Sequence, residues 1–187
     1  MKPYDVGLIC GRFQTFHKGH EKLIETGLML CDRLLIIIGS SQECGTERNP
    51  LNINTRTKML RSVYGDSPNI MIYGLADLTN ESDIRPEWGK YLLNFADKYI
   101  HKNPEVMIYG NDESRSAWFD KADLKYTTEL IINRSELPIS ATLLRQYMAE
   151  DNRKMWMQYV NPKLHKMYDE LRNELMGVEF YQSKYKT

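Results

Sequence analysis

Apolar positions along this chain follow two alternating rhythms. Short runs with almost no polar break, "DVGLICG", "RLLIIIGSS", "NIMIYGL", "EVMIYG" and "YTTELIIN", carry the Ile, Leu and Val content of strands buried on both faces. Between them the apolar positions recur three and four apart. Leu23, Ile24, Gly27, Leu28, Leu30 and Cys31 make "KGHEKLIETGLMLC" an amphipathic helix. "TRTKMLRSVYG" reads as a second helix, with Thr55 near its start and Gly65 past its end. A third runs from about Pro86 to His101, with Pro86 in its first turn, and "SRSAWFDKA" reads as a short one.

Strand and helix therefore alternate as far as residue 133. That order predicts right-handed βαβ units and an α/β fold: a doubly wound, mostly parallel sheet of five or six strands. Beyond it "ATLLRQYMAED", "RKMWMQYV" and "PKLHKMYDELRNELM" are helical and no strand follows. We expect one domain of 187 residues, an α/β core over 1–138 with a small helical part over 139–187 that ends in a polar tail, "GVEFYQSKYKT".

Charge narrows the function classes. Lys and Arg number 25 and so do Asp and Glu, with no basic stripe, so nothing points to nucleic acid. No apolar run reaches spanning length and the start has no signal-peptide core, which leads us to expect a cytoplasmic protein with no membrane contact. Cys10, Cys31 and Cys44 lack metal-site spacing. Cys10 and Cys31 read as core residues, Cys44 as a loop residue.

The chemistry concentrates behind the first strand, in "GRFQTFHKGH", Gly11 to His20. In an open parallel sheet, ligands bind beyond the carboxyl ends of the strands. Gly11 permits a tight turn and close approach of the backbone, and Gly19 keeps the next helix's first turn uncrowded. Open N–H groups and the helix dipole there favour an anion. His17 and His20, three apart, share a face, and Arg12 and Lys18 add charge. The stretch is neither a Walker A loop nor a dinucleotide fingerprint. A second anion element follows the fifth strand in "PISATLLR": Ser140 as helix cap, open N–H groups behind it, and Arg145 one and a half turns in.

"GRFQTFHKGH" closely resembles the G-R-F-Q-P-F-H-x-G-H signature of the HxGH nucleotidyltransferases, whose fold is Rossmann-like. Within them it resembles the archaeal-type nicotinamide-nucleotide adenylyltransferases and the NAD-regulator adenylyltransferase domains. Thr15 stands where that signature has proline. "IIIGSSQECGTERNP" resembles the strand-two exit, "ISATLLRQYM" the second signature I-S-[GST]-T-x-I-R with Ala141 at its small position, and "MWMQYVNPKLHKMYDEL" the closing helical segment. "DLTNESDIRPEW" is longer than its counterpart, where Asp77, Asn80 and Trp88 fall.

The resemblance implies an enzyme joining ATP to nicotinamide or nicotinate mononucleotide, giving NAD or its deamido form and pyrophosphate. It assigns His17, His20, Lys18 and Arg145 to catalysis. Gly11, Phe13, Gly19, Gly110, Asn111, Ile139, Ser140, Thr142 and Arg145 go to ATP. Arg12, Gln14, Arg48, Asp77 and Trp88 go to the mononucleotide, with Trp88 stacked on its pyridine ring. Mg²⁺ is expected on the ATP phosphates, with no protein side chain as ligand, and assembly into homo-oligomers is hinted at. Two alternatives stand beside this: a related transferase with another acceptor phosphate, and a nucleotide-sensing domain without turnover. A role on tRNA ranks last, for want of an anticodon domain.

Overall fold

The computed structural model describes residues 1–79, 85–111, 115–133, 135 and 139–185. Strands β1 (Tyr4–Gly11), β2 (Cys31–Ile38), β3 (Ile70–Gly74), β4 (Val106–Gly110) and β5 (Thr128–Ile132) alternate with helices α1 (Lys18–Leu30), α2 (Ile53–Tyr64) and α3 (Pro86–Ile100) and a 3₁₀ turn, Arg115–Trp118. Helices α4 (Ala141–Ala149) and α5 (Arg153–Gln158), a second 3₁₀ segment (Pro162–Met167), α6 (Tyr168–Met176) and α7 (Glu179–Tyr185) follow. Every strand pair is parallel, in the order β3-β2-β1-β4-β5. The order reverses between β1 and β4, so the ligand crevice of such a sheet opens beyond the ends of those two strands.

The unbroken apolar runs have a plain cause: both faces of the sheet are covered. Ile9, Ile36 and Ile38 pack under α1, α2 and the C-terminal helices, through Leu23, Ile24, Met59, Leu144, Trp156 and Leu171. Their neighbours Leu8, Leu35 and Ile37 face the other way, onto Leu92, Leu93 and Ala96 of α3. All five residues from Leu34 to Ile38 are fully buried, each stabilising the fold by about 1.5–3 kcal/mol.

Two sequence expectations change, the polar tail and the place of Cys31. The helical part after 138 shares one core with the sheet and forms its covering layer on the α1–α2 face. Residues 177–185 are no polar tail: Val178, just before α7, and Tyr181 on it, three apart, are both buried. Cys31 opens β2, pairing with Tyr4, because α1 runs into β2 without a loop. Burial pushes the Cys31 thiol up to about 11, while Cys10 is half-buried and Cys44 exposed.

The covering layer is tied to the site-bearing side of the sheet by a carboxylate. Glu174 of α6 accepts from the Asn52 N–H (2.7 Å), the Asn52 side chain (2.6 Å) and the Thr55 hydroxyl (2.7 Å). Asn52 is the N-cap of α2, so Glu174 sits where the helix dipole favours an anion.

Candidate active site

The loop leaving β1 is built on Phe13. Its backbone is left-handed, with φ of 53°, and its ring folds under Gly11, where an added Cβ would come within 3.3 Å of it. A side chain at Gly11 would push the ring aside. Phe13 is buried and supports the His20 ring at 4.9 Å. Thr15 follows a cis peptide bond and is fully buried.

His17 is the N-cap of α1, its Nδ1 accepting from the Gly19 N–H at 3.1 Å. A ring nitrogen that accepts carries no proton, so neutral His17 holds its proton on Nε2. The His17 and His20 rings stack at 3.8 Å. Spacing thus reported correctly that both rings lie on one side of the turn. The expected row of open N–H groups is corrected: Lys18 N–H is bonded to the Tyr159 carbonyl (2.8 Å) and Gly19 N–H to His17. What the end of α1 offers an anion is its dipole and the imidazole pair. Lys18 is not brought to that pair. It is exposed on the outer stripe of α1 with Glu21, Lys22 and Glu25, about 200° round the helix from His20 at roughly 100° per residue.

Arg145, expected to reach back to a polyphosphate, is anchored by protein. It is 7% exposed. Its Nε donates to the Tyr181 hydroxyl (2.9 Å), Nη2 to Thr142 Oγ1 (3.1 Å) and Nη1 to the Gln14 carbonyl. The last bond lays the second anion element against the first. A guanidinium has five N–H groups, and these three bonds, the ones seen among the described residues, engage one on each nitrogen. Ser140 is exposed and caps α4 by accepting from Leu143 N–H at 3.2 Å; Thr142 is exposed beside it, and Ile139 is buried. Pro138 lies outside the described residues.

The β2 exit holds Arg48, which the resemblance gives to the mononucleotide. The organiser of that exit is Arg56, which the sequence reading missed. Arg56 is fully buried in α2. It donates to the carbonyls of Arg12 (3.1 Å), Gly39 (2.9 Å), Ser40 (3.0 Å) and Glu43 (3.3 Å). Burial lowers the guanidinium to about 10, so it stays charged at neutral pH. The signal was available: Arg56 occupies the same stripe as Met59, Leu60 and Val63, an odd place for a cation without a task.

Gln14 also moves. Its amide is spent on the backbone of Leu51, donating to the carbonyl and accepting from the N–H, both at 2.9 Å, and the residue is 2% exposed. It shapes the site through that clamp and offers a ligand little side chain. Asp77 is held at the β3 exit by Ser40 Oγ and Gln42 Nε2, each at 3.0 Å. Arg12 is half-buried beside Arg56, and Arg48 is exposed on a tight turn in which Asn49 N–H bonds Thr46 Oγ1 at 3.0 Å. Gly110 ends β4, the strand beside β1, and Asn111 follows it, with its N–H on the Ile132 carbonyl. Asn80 lies outside the described residues.

Trp88 stands in the first turn of α3 and is 8% exposed. Its indole N–H donates to Thr79 Oγ1 (3.2 Å) and its ring packs against Tyr91 and Trp118 at 5.7 and 5.8 Å. The expected stacking platform is thereby largely occupied by protein. Trp88→Ala is expected to cost about 3–5 kcal/mol in denaturant unfolding, the range for emptying a buried Trp site, with Trp88→Phe recovering part. A loss below about 1 kcal/mol, with a mononucleotide KM raised ten-fold, would return Trp88 to the pyridine ring.

Comparison with known proteins follows the same line. The cytidylyltransferase-like family model matches residues 8–168. The chain is 29% identical over 175 residues to a nicotinamide-nucleotide adenylyltransferase of Saccharolobus solfataricus, covering 90% of this chain and 92% of that protein. It is 28% identical over 177 residues to one of Thermococcus kodakarensis, covering 92% and 85%. Among solved structures it resembles a bifunctional NMN adenylyltransferase/ADP-ribose pyrophosphatase of Francisella tularensis, complexed with AMP and a manganese ion. The TM-score is 0.72 at 26% identity, covering 96% of this chain. The chain spans about half the length of that bifunctional protein (51%). With the doubly wound sheet, the histidine pair and the matched span together, the chain belongs to the cytidylyltransferase-like family.

Proposed function

We propose that this chain is a nicotinamide-nucleotide adenylyltransferase, which joins ATP to nicotinamide mononucleotide and releases pyrophosphate. Relatives of matching length carry that activity in their names. The observation that carries the reading is the bond from Arg145 to the Gln14 carbonyl, which brings the two separate anion elements together.

In the reaction an oxygen of the mononucleotide's 5′-phosphate attacks the α-phosphorus of ATP. The new P–O bond forms as the bond from that phosphorus to the β-phosphate's bridging oxygen breaks. A phosphate monoester has its second pKa near 6, so the nucleophile is already mostly a dianion at pH 7 and needs no general base. The work left is alignment and stabilisation of charge on the α-phosphate and the leaving group. His17 through Nε2–H and His20 donate to the α-phosphate. Arg145 receives the β- and γ-phosphates beside Ser140 and Thr142. Gly110 and Asn111 line the ribose, and Arg12 and Arg48 receive the mononucleotide phosphate.

The nucleotide arrives as MgATP. We assign that ion mainly to phosphate oxygens and water. The manganese and AMP in the Francisella relative support a divalent ion on this path. No helix among the described residues is long and apolar enough to cross a membrane.

Arg145→Lys tests the assignment. Lysine keeps the charge and loses the planar fork. The Kd for an ATP analogue alone is expected to rise about ten-fold, one lost charge-assisted bond's worth, and kcat to fall. The Kd for the mononucleotide alone should stay within about two-fold. A change confined to the mononucleotide would put Arg145 on the other substrate. Absence of pyrophosphate release by the wild-type protein with both substrates would sink the reaction itself.

A further inference from the structure

Arg145 and the turn carrying Arg48 belong to different substrates in the reading above, and they lie about a hundred residues apart in sequence. They are nevertheless joined by one side chain. The Tyr181 hydroxyl accepts from Arg145 Nε at 2.9 Å and donates to the Glu47 carbonyl at 2.7 Å. A phenol has one proton to give and lone pairs to receive, so this hydroxyl is used in both directions. Tyr181 is 4% exposed, so water competes little for either bond.

The turn is held at its far end as well. Gln14, whose carbonyl receives Arg145 Nη1, clamps Leu51 through its amide. Between these two tethers, at Glu47 and Leu51, the chain closes on itself. Thr46 N–H bonds the Asn49 carbonyl (3.2 Å), and Gly45 N–H the Pro50 carbonyl (3.3 Å). Arg48 rides on this short arc, so its placement follows that of its two anchors. One anchor belongs to the signature loop. The other is a residue of α7.

We propose that Tyr181 is a positioning residue that couples the two substrate sites, its hydroxyl linking the ATP-phosphate arginine, Arg145, to the mononucleotide-phosphate turn at Arg48. The inference rests on the functional reading above for the identity of the two ligands. The physical basis is shared ordering. Arg145 is already held by Tyr181, Gln14 and Thr142; phosphate on it restricts it further, and through the phenol restricts Glu47. Hydrogen bonds in such a chain polarise and strengthen one another. The first substrate meets the cost of ordering the chain; the second finds it ordered and binds more tightly. Coupling of this kind is reciprocal, so each substrate raises the other's affinity by the same factor.

The test is calorimetry on the full chain with α,β-methylene-ATP and nicotinamide mononucleotide, each titrated with and without saturating amounts of the other. In the wild type each should tighten the other about five-fold or more, the lower end of common coupling factors. In Tyr181→Phe, which keeps the ring packing against Phe180 and Tyr185, the factor should fall to within about two-fold of unity. A merely structural tyrosine would weaken both ligands separately and leave the factor intact. That result, or a wild-type factor near one, overturns the proposal. Should Tyr181→Phe fail to fold, hydrogen exchange on the wild type decides. Mononucleotide alone must slow exchange at the amides of Tyr181 and Gln182, both bonded to the Val178 carbonyl; unchanged exchange there overturns it too. Turnover of ATP with the mononucleotide, read on the same wild-type preparation, reports separately on the reaction the inference rests on.

Discussion

His20→Ala is expected to lower kcat by about 10²–10⁴-fold, the range for losing preorganised donors aimed at charge that develops in the transition state. The site explains why a single ring carries that much. His20 is held from below by Phe13 at 4.9 Å and from the side by His17 at 3.8 Å, so its direction is set before substrate arrives. The melting temperature should fall by only about 2–4 °C, corresponding to about 1 kcal/mol in a chain of this size, because the ring is half-buried and bears on the core through two phenylalanines. His20→Gln, which restores an N–H donor without the ring, should recover part of kcat. His17→Ala makes the useful contrast. It removes a donor and also the cap on α1, so it should add roughly 1 kcal/mol of lost helix stability to a fall in kcat. A His20→Ala enzyme with more than half the wild-type kcat would take His20 out of the mechanism.

How far these roles were legible in the sequence depends on what each residue bonds to. The strands were legible because a parallel sheet covered on both sides leaves no polar alternation, and "LLIII" announces that state directly. The histidine pair was legible because spacing fixes direction within one helical turn. The N–H groups beside it were misread, since one partner is the Tyr159 carbonyl, a backbone atom far along the chain that no local pattern reports. Gln14 and Trp88 were carried to the mononucleotide by resemblance. Their side chains turn to Leu51 and to Thr79, Tyr91 and Trp118, contacts that exist only once the loops have closed. Lys18 shows a simpler limit: one position's shift along a helix turns a side chain by about 100°, enough to move it from a site to the solvent. The ending of the chain was misjudged on polarity, although Val178 and Tyr181 already had helical spacing.

Arg56→Met is expected to do the widest damage, to fold and to turnover together. Methionine fills most of the space and supplies no donor. The carbonyls of Arg12, Gly39, Ser40 and Glu43 would each lose a partner, and a buried acceptor left unsatisfied costs about 1–3 kcal/mol. Some will find water or relax, so a loss of about 3–5 kcal/mol in denaturant unfolding is the expected result, a large share of the 5–15 kcal/mol that holds a typical domain together. The kinetic effect has a separate origin. Those four carbonyls belong to the exits of two adjacent strands, and Arg56 is the cation that holds them in register. Released, the loop carrying Arg12 and Phe13 and the loop leading to Arg48 can drift independently. Displacement of reacting groups by about 1 Å is enough for a 10²-fold loss, so kcat/KM of the folded fraction should fall at least that far. Arg56→Lys separates charge from shape. It restores a cation of three donors on a flexible stem, which cannot serve four carbonyls at once. Its stability should lie between the other two, while kcat/KM stays closer to that of the methionine variant, because register depends on the planar fork. If Arg56→Lys instead matched the wild type in both measurements, charge under the site would be the property that matters, and the fourfold tie would be incidental to it.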